Sequence, residues 1–155
     1  MSDGQPEEFS TGPTATLLLA DHAQVADGKL NVIGAGWTFT GPAPLPFALA
    51  GWVHVPWDLA NTSLAVTLEL LDTDGKAVMV DVPGEMAQPL AMHVSVEVGR
   101  PAGVPPGTTQ DCPLALNCAP IALQPGQGYE WRLLVDGELL TRRGFRVRDV
   151  QTGAV

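Results

Sequence analysis

The sequence is poor in charge, poor in cysteine and lacks any long hydrophobic run. Only 16% of its 155 residues are charged, with 8 Lys plus Arg against 17 Asp plus Glu, a formal net charge of −9. A mean field of that sign repels phosphate backbones, whose neutralisation by basic side chains drives non-specific nucleic-acid binding. Nucleic acid is therefore not an expected partner. A membrane helix needs about 20 consecutive apolar residues, and the apolar runs here are strand-sized, so no membrane partner is expected either. The opening stretch MSDGQPEEFSTGP carries Asp3, Glu7 and Glu8 without a Lys or Arg, the opposite of a signal peptide's basic start. Synthesis in the cytoplasm without export is the expectation.

Cys112 and Cys118 are the 2 cysteines. In an extended strand their α-carbons would lie about 20 Å apart at ~3.3 Å per residue, outside disulfide range. Either the thiols are free or the segment folds back. A zinc site asks for four ligands at close paired spacing, which Cys-x5-Cys without a nearby His does not meet. His22, His54 and His93 show no metal-ligand spacing among themselves. Asp72-Thr73-Asp74-Gly75 imitates the start of a calcium loop, but no Glu stands at its twelfth position and its flanks have strand character. No metal or other cofactor is expected.

What is abundant is turn chemistry: Gly 17 and Pro 14 make a fifth of the chain, with no collagen-like period. Residues 1–13 are polar and read as a flexible acidic arm. Thr14 to Ala20 has the length of a strand, Asp27-Gly28 signals a turn, and Leu30 to Thr40 continues as a strand. Phe47 to Trp57 alternates, with Phe47, Leu49, Val53, Val55 and Trp57 on one face and Ala48, Trp52 and His54 on the other. Ser63 to Leu71 places Leu64, Val66, Leu68 and Leu70 inward, and Asp72 to Gly75 turns it into Lys76 to Val82 as a hairpin. Leu90 to Val98 alternates again. Residues 99–111 are loop, and Pro113 to Leu123 is an irregular or edge strand because proline cannot donate to a ladder. Gly128 to Val135, the Asp136-Gly137 turn and Glu138 to Arg148 form a last hairpin, with a bulge expected at Gly144.

No amphipathic helix pattern stands out. The expected fold is all-β: a two-layer antiparallel β-sandwich of about eight strands over residues 14–149, followed by a tail at 150–155. Tyr129 after the Pro125-Gly126 turn is similar to the tyrosine corner of immunoglobulin-like domains, which makes the expectation loosely Ig-like. Residues 18–36 (LLADHAQVADGKLNVIGAG), 55–75 (VPWDLANTSLAVTLELLDTDG) and 125–147 (PGQGYEWRLLVDGELLTRRGFRV) resemble a family of small, uncharacterised bacterial and actinobacteriophage β-sandwich proteins. The resemblance implies the sandwich and brings no catalytic residues with it.

Asp21-His22 is the one pair that invites a catalytic reading. Neighbours on a strand point to opposite faces, so they cannot form a relay, and no G-x-S-x-G elbow supplies a nucleophile. No enzymatic activity is expected. Trp52 on the polar face beside His54 marks a contact surface, since Trp is enriched at interface hot spots. Arg132, Arg142, Arg143, Arg146 and Arg148 are five of the eight basic residues and all fall in the last hairpin. This separation from the acidic arm suggests complementarity between copies. The expected interface residues are Phe9, Trp52, His54, Arg142, Arg143, Arg146 and Arg148. The expected function is a non-enzymatic structural or interaction module that docks on copies of itself or on a larger assembly. Its most concrete form is a phage capsid decoration or other virion protein, present as a homo-oligomer or bound to a lattice. The alternative is a small-molecule or glycan-binding β-sandwich using Trp52 and His54.

Overall fold

The computed structural model describes residues 12–151. Two sheets face each other, antiparallel except for one short parallel edge strand in the larger. The smaller has the order β1-β5-β10, with β1 at Thr14–Ala20, β5 at Phe47–Val55 and β10 at Gln110–Cys118. The larger has the order β4-β12-β11-β6-β9, with β4 at Phe39–Thr40, β6 at Leu64–Asp72, β9 at Ala91–Val96, β11 at Gly128–Val135 and β12 at Glu138–Val147. Two ribbons lie outside the sheets: β2 (His22–Ala26) with β3 (Lys29–Ile33), and β7 (Met79–Val80) with β8 (Gln88–Pro89). The expected all-β sandwich of about eight strands is therefore present: among the described residues the two sheets hold eight strands and the ribbons four more.

The period-two pattern sets the layers. Leu49, Val53 and Val55 of β5 face Leu64, Val66, Leu68 and Leu70 of β6 and Trp131, Leu133 and Val135 of β11 in one core. Each of those side chains is at most 3% exposed, and burying one contributes roughly 1.5–3 kcal/mol. Two hairpins turn on Asp-Gly, with Asp27 and Gly28 at φ 51° and 69° and Asp136 and Gly137 at φ 49° and 83°. Positive φ at both central residues is the type I′ geometry that matches strand twist. Along one side the sheets are tied by a charge: Arg143 Nε donates to the Leu17 carbonyl of edge strand β1 at 2.9 Å. Tyr129 closes the other corner, its hydroxyl accepting the Gln124 N–H at 2.9 Å.

Several local expectations are corrected. His22 begins a strand, and the strand expected over Leu30–Thr40 stops at Ile33. Asp21 N–H donates to Ile33 O at 3.0 Å, and Gly36 N–H to Leu19 O at 2.8 Å, so the chain doubles back there. Gly34, at φ +62°, lies under the Asp21 carboxylate, where any β-carbon would overlap it. Asp21-His22 is thus a corner. On the side of β6 away from β11 the partner is β9, because β7 diverts to β8 after Val78 N–H reaches Leu70 O. The register irregularity of the last hairpin falls between Leu133 and Leu134, not at Gly144. Trp57 leaves the β5 pattern for a single 3-10 turn, Trp57–Leu59, where Arg100 lies 4.7 Å over its ring.

Candidate functional site

Three features combine side chains from distant parts of the chain. The first is the outer face of the smaller sheet. Register places Thr14, His54 and Asp111 in one cross-strand row and Thr16, Trp52 and Pro113 in the next. His54 bridges diagonally: its Nε2 is 2.9 Å from Thr16 Oγ1 and its Nδ1 2.6 Å from Asp111 Oδ1. Sequence reasoning found His54 and Trp52 but missed Thr16 and Asp111, which lie 38 and 57 positions from His54. The order hydroxyl, imidazole, carboxylate is that of a nucleophile, base and orienter. Acyl transfer also needs oxyanion donors and excluded water. Here the face is open, with the Asp111 side chain 58% exposed. What the chain of contacts does is fix the imidazole beside Trp52.

The other half of that face is covered. The β2–β3 ribbon packs over it, burying Ala20, Ala23, Ala48 and Ala50 with Leu30 and Val32 against them. Asn117 of β10 pins the ribbon, its Oδ1 accepting the Ala23 N–H at 3.1 Å and its Nδ2 donating to the Ala23 carbonyl at 2.8 Å.

The second feature is a hollow of about 650 Å³ on the outer face of the larger sheet. Its floor is low at Gly144, which leaves an outward position of β12 without a side chain, while Gly128 is covered by Thr73 and Arg146, and Arg132, Arg142 and Arg146 line it. Arg132 and Arg142 are direct cross-strand partners, a placement that like charges disfavour. Arg132 is neutralised along its own strand by Glu130, Nε to Oε2 at 2.7 Å. Asp72 spends a carboxylate oxygen on the turn, accepting the N–H groups of Asp74 and Lys76 at 2.9 Å each. Among the described residues Arg142 and Arg146 have no carboxylate within 4.0 Å. Arg148 lies over the Phe39 ring at 4.6 Å, and Phe39 is 55% exposed. Arg143 is set apart from the other arginines by its bond to Leu17 and its half-buried position. Phe9 lies outside the described residues.

The third feature went unseen in the sequence: a cavity of about 490 Å³ at one end of the sandwich, walled by Trp37, Phe47, Trp131 and Phe145. Trp37 packs edge-on against Phe47 and Phe145, with centroids 6.5 and 5.7 Å away. The indole Nε1–H groups of Trp37 and Trp131 are both buried and both lack an acceptor among the described residues, a state that costs about 1–3 kcal/mol per group. A glycine-rich turn (Gly34, Gly36) and the segment 41–46 complete the lining.

Cys112 and Cys118 are free thiols on β10. Burial raises both pKa values, that of Cys118 to about 11, so neither is poised as a nucleophile. Among the described residues no helix is long and apolar enough to cross a membrane.

Residues 15–148 match the model of a family of unknown function, DUF6941. No curated protein and no solved structure matches.

Proposed function

Since the chain belongs to that family of unknown function, its own surfaces must carry the reading, and we propose that it is a non-enzymatic docking module. The arginine-lined hollow of the larger sheet grips an acidic segment of a partner protein. The supporting observation is the hollow itself: two guanidinium groups, Arg142 and Arg146, that have no carboxylate within 4.0 Å among the described residues, beside the open position that Gly144 leaves on β12. A flat outer face would hold a solvated charge equally well; the missing side chain at Gly144 makes room for a backbone. Arginine presents a planar fork suited to carboxylates. The occupant we favour is Asp3, Glu7 and Glu8 of another copy, with Phe9 as the apolar anchor beside exposed Phe39. A repeated lattice such as a virion shell is an assembly in which copies would meet in this way.

Sedimentation velocity over a concentration series, at about 50 mM and about 500 mM salt, tests this, because exposed charges are largely screened beyond a Debye length of a few ångströms at high salt. Exposed pairs contribute about 0.2–1 kcal/mol each, so reversing two of them, Arg142→Glu with Arg146→Glu, should weaken self-association about 2- to 30-fold. Deleting residues 1–13 should do the same, and neither change should move the melting temperature by more than a few degrees. Association that is equal for all three proteins at both salt concentrations overturns the proposal.

A further inference from the structure

The edge of a sheet presents a row of backbone N–H and C=O groups to whatever strand comes next, and proteins blunt it with proline, charge, shortness or cover. Among the described residues, three of the four edges of the sandwich are blunted. On β1 the outward carbonyls of Leu17 and Leu19 accept from Arg143 Nε at 2.9 Å and from the Gly36 N–H at 2.8 Å. β10 carries Pro113, which has no N–H to donate. β4 is 2 residues long and runs into Gly41-Pro42. The fourth edge, β9, reads Ala-Met-His-Val-Ser-Val, with no proline, no acidic residue, no Lys or Arg and no register shift against β6.

The directions of the β9 backbone groups follow from its neighbour. Ala65 spends both of its groups on Asp136, on the β11 side: its carbonyl accepts the Asp136 N–H at 2.8 Å and its N–H donates to Asp136 Oδ1 at 2.9 Å. Pairs in an antiparallel ladder alternate, so Leu64, Val66 and Leu68 turn to β9 and bond Val96, Val94 and Met92. The N–H and C=O groups of Ala91, His93 and Ser95 therefore point away from the sheet, and among the described residues no backbone group meets them. Their side chains leave the row clear, since His93 Nδ1 is held 3.2 Å from Thr67 Oγ1 and Ser95 Oγ 2.7 Å from Ser63 Oγ. On the inner face cover runs out at the same place. Val66 and Leu68 are 1% and 0% exposed, whereas their register partners Val94 and Met92 are only half-buried.

We propose that β9 is the seat of a two-fold dimer: β9 of a second copy pairs with it antiparallel, and the two larger sheets join into one continuous sheet. About a two-fold axis an edge strand complements itself, each outward donor of one copy meeting an outward acceptor of the other. With the axis at Val94, His93 exchanges hydrogen bonds with Ser95 of the second copy, and Ser95 with its His93. An axis at His93 would set two imidazoles directly opposite each other. On the inner face Val94 then meets Val94 of the second copy and Met92 meets its Val96, so the half-buried side chains cover one another. A foreign strand would bring the hydrogen bonds alone, whereas a second copy also brings Val96 already seated on its own core. Each copy carries a net charge of −9, and β9 contributes no carboxylate to the approach. This interface lies beyond the arginine hollow, and contacts through the arm would link such dimers to one another.

The test is amide hydrogen exchange of the full chain at about 500 mM salt, where the arm contact is screened, over a dilution series followed in parallel by sedimentation velocity. At high concentration the mass should be twice 16.3 kDa, with the amides of His93 and Ser95 protected. On dilution to the monomer those two should open to exchange, while Met92, Val94 and Val96 keep the protection that β6 gives them. Deleting residues 1–13 should leave this dimer intact, which separates its failure from that of the arginine hollow. Ser95→Pro removes an N–H that faces away from the sheet, a position where an edge strand tolerates proline. The fold should survive, and the dimer, losing two hydrogen bonds by symmetry, should weaken about 30-fold or more. A protein that stays monomeric up to about 1 mM, where even weak pairs form, overturns the proposal. So does a dimer in which His93 and Ser95 exchange as fast as in the monomer, one lost with residues 1–13, or one unweakened by Ser95→Pro. The exchange and dilution measurements use the wild type, so a Ser95→Pro protein that fails to fold does not shield the proposal.

Discussion

Replacing Asn117 with alanine should release the β2–β3 ribbon from the smaller sheet. Its carboxamide makes both hydrogen bonds of the Ala23 backbone that face β10, at 3.1 and 2.8 Å. Ala23 is 1% exposed, so water does not replace them unless the ribbon lifts. A hydrogen bond contributes about 0.5–1.5 kcal/mol net, whereas a buried group left unpaired costs about 1–3 kcal/mol. Two groups put the total at about 2–6 kcal/mol, the lower end applying if partial lifting admits water. At about 2–4 °C per kcal/mol for a chain near this size, the melting temperature should fall by about 4–24 °C. Amide hydrogen exchange should show where. Residues 22–33 should lose protection first, while β5 and β11 keep theirs, because the alanine contacts under the ribbon are few and small. Asn117→Asp should be no better than alanine, since a carboxylate accepts the Ala23 N–H but cannot donate to its carbonyl. A melting temperature within about 2 °C of the wild type, with unchanged exchange over 22–33, would refute the assignment of Asn117 as the pin.

Gly51→Ala should be among the most damaging single changes, at about 3 kcal/mol or more by chemical denaturation. A β-carbon there overlaps the Thr16 carbonyl oxygen and crowds Leu17 Cα, which are backbone atoms of β1 that cannot step aside. A pKa of about 11 leaves Cys118 almost wholly protonated at pH 8, so it should react with a disulfide reagent roughly 100-fold more slowly in the folded protein than after unfolding. The unfolded thiols ionise first as pH rises above the ordinary value of 9.0. The folded state then holds more protons, and stability should decline with rising pH until Cys118 itself ionises near 11. A melting temperature that rises over that window would contradict the burial of the thiols.

Much of the architecture could be read directly from residue order. Alternation on β5, β6, β9 and β11 sorts side chains between the two faces because successive residues of a strand point to opposite faces, and the core residues follow it, while Ala48 and Ala50 on the other face of β5 are buried by the β2–β3 ribbon. The Asp27-Gly28 and Asp136-Gly137 turns were equally legible, since positive φ at paired positions is a local demand. The failures came where a segment's fate depended on its neighbours. Lys76–Val82 has strand character, yet β9 outcompetes it for β6 with a longer ladder. Trp57 continues the odd-position pattern but falls beyond the last paired residue of β5, where nothing holds it extended.

The candidate sites divide in the same way. Sequence by itself determined the all-β class, the acidic balance, the concentration of arginine in the last hairpin and the outward position of Trp52 and His54, because each follows from composition or a period of two. Tertiary structure alone decided which of those residues meet. Arg143 shares its strand with Arg142 and Arg146 yet is committed to the Leu17 carbonyl, 126 positions away. Thr16 and Asp111 reach His54 only through the pairing of β1 and β10 with β5. The cavity draws on five aromatic residues spread from Trp37 to Phe145. Their spacing carries no signal, since a concave wall is a property of how two twisted sheets close at one end and of no single stretch of chain.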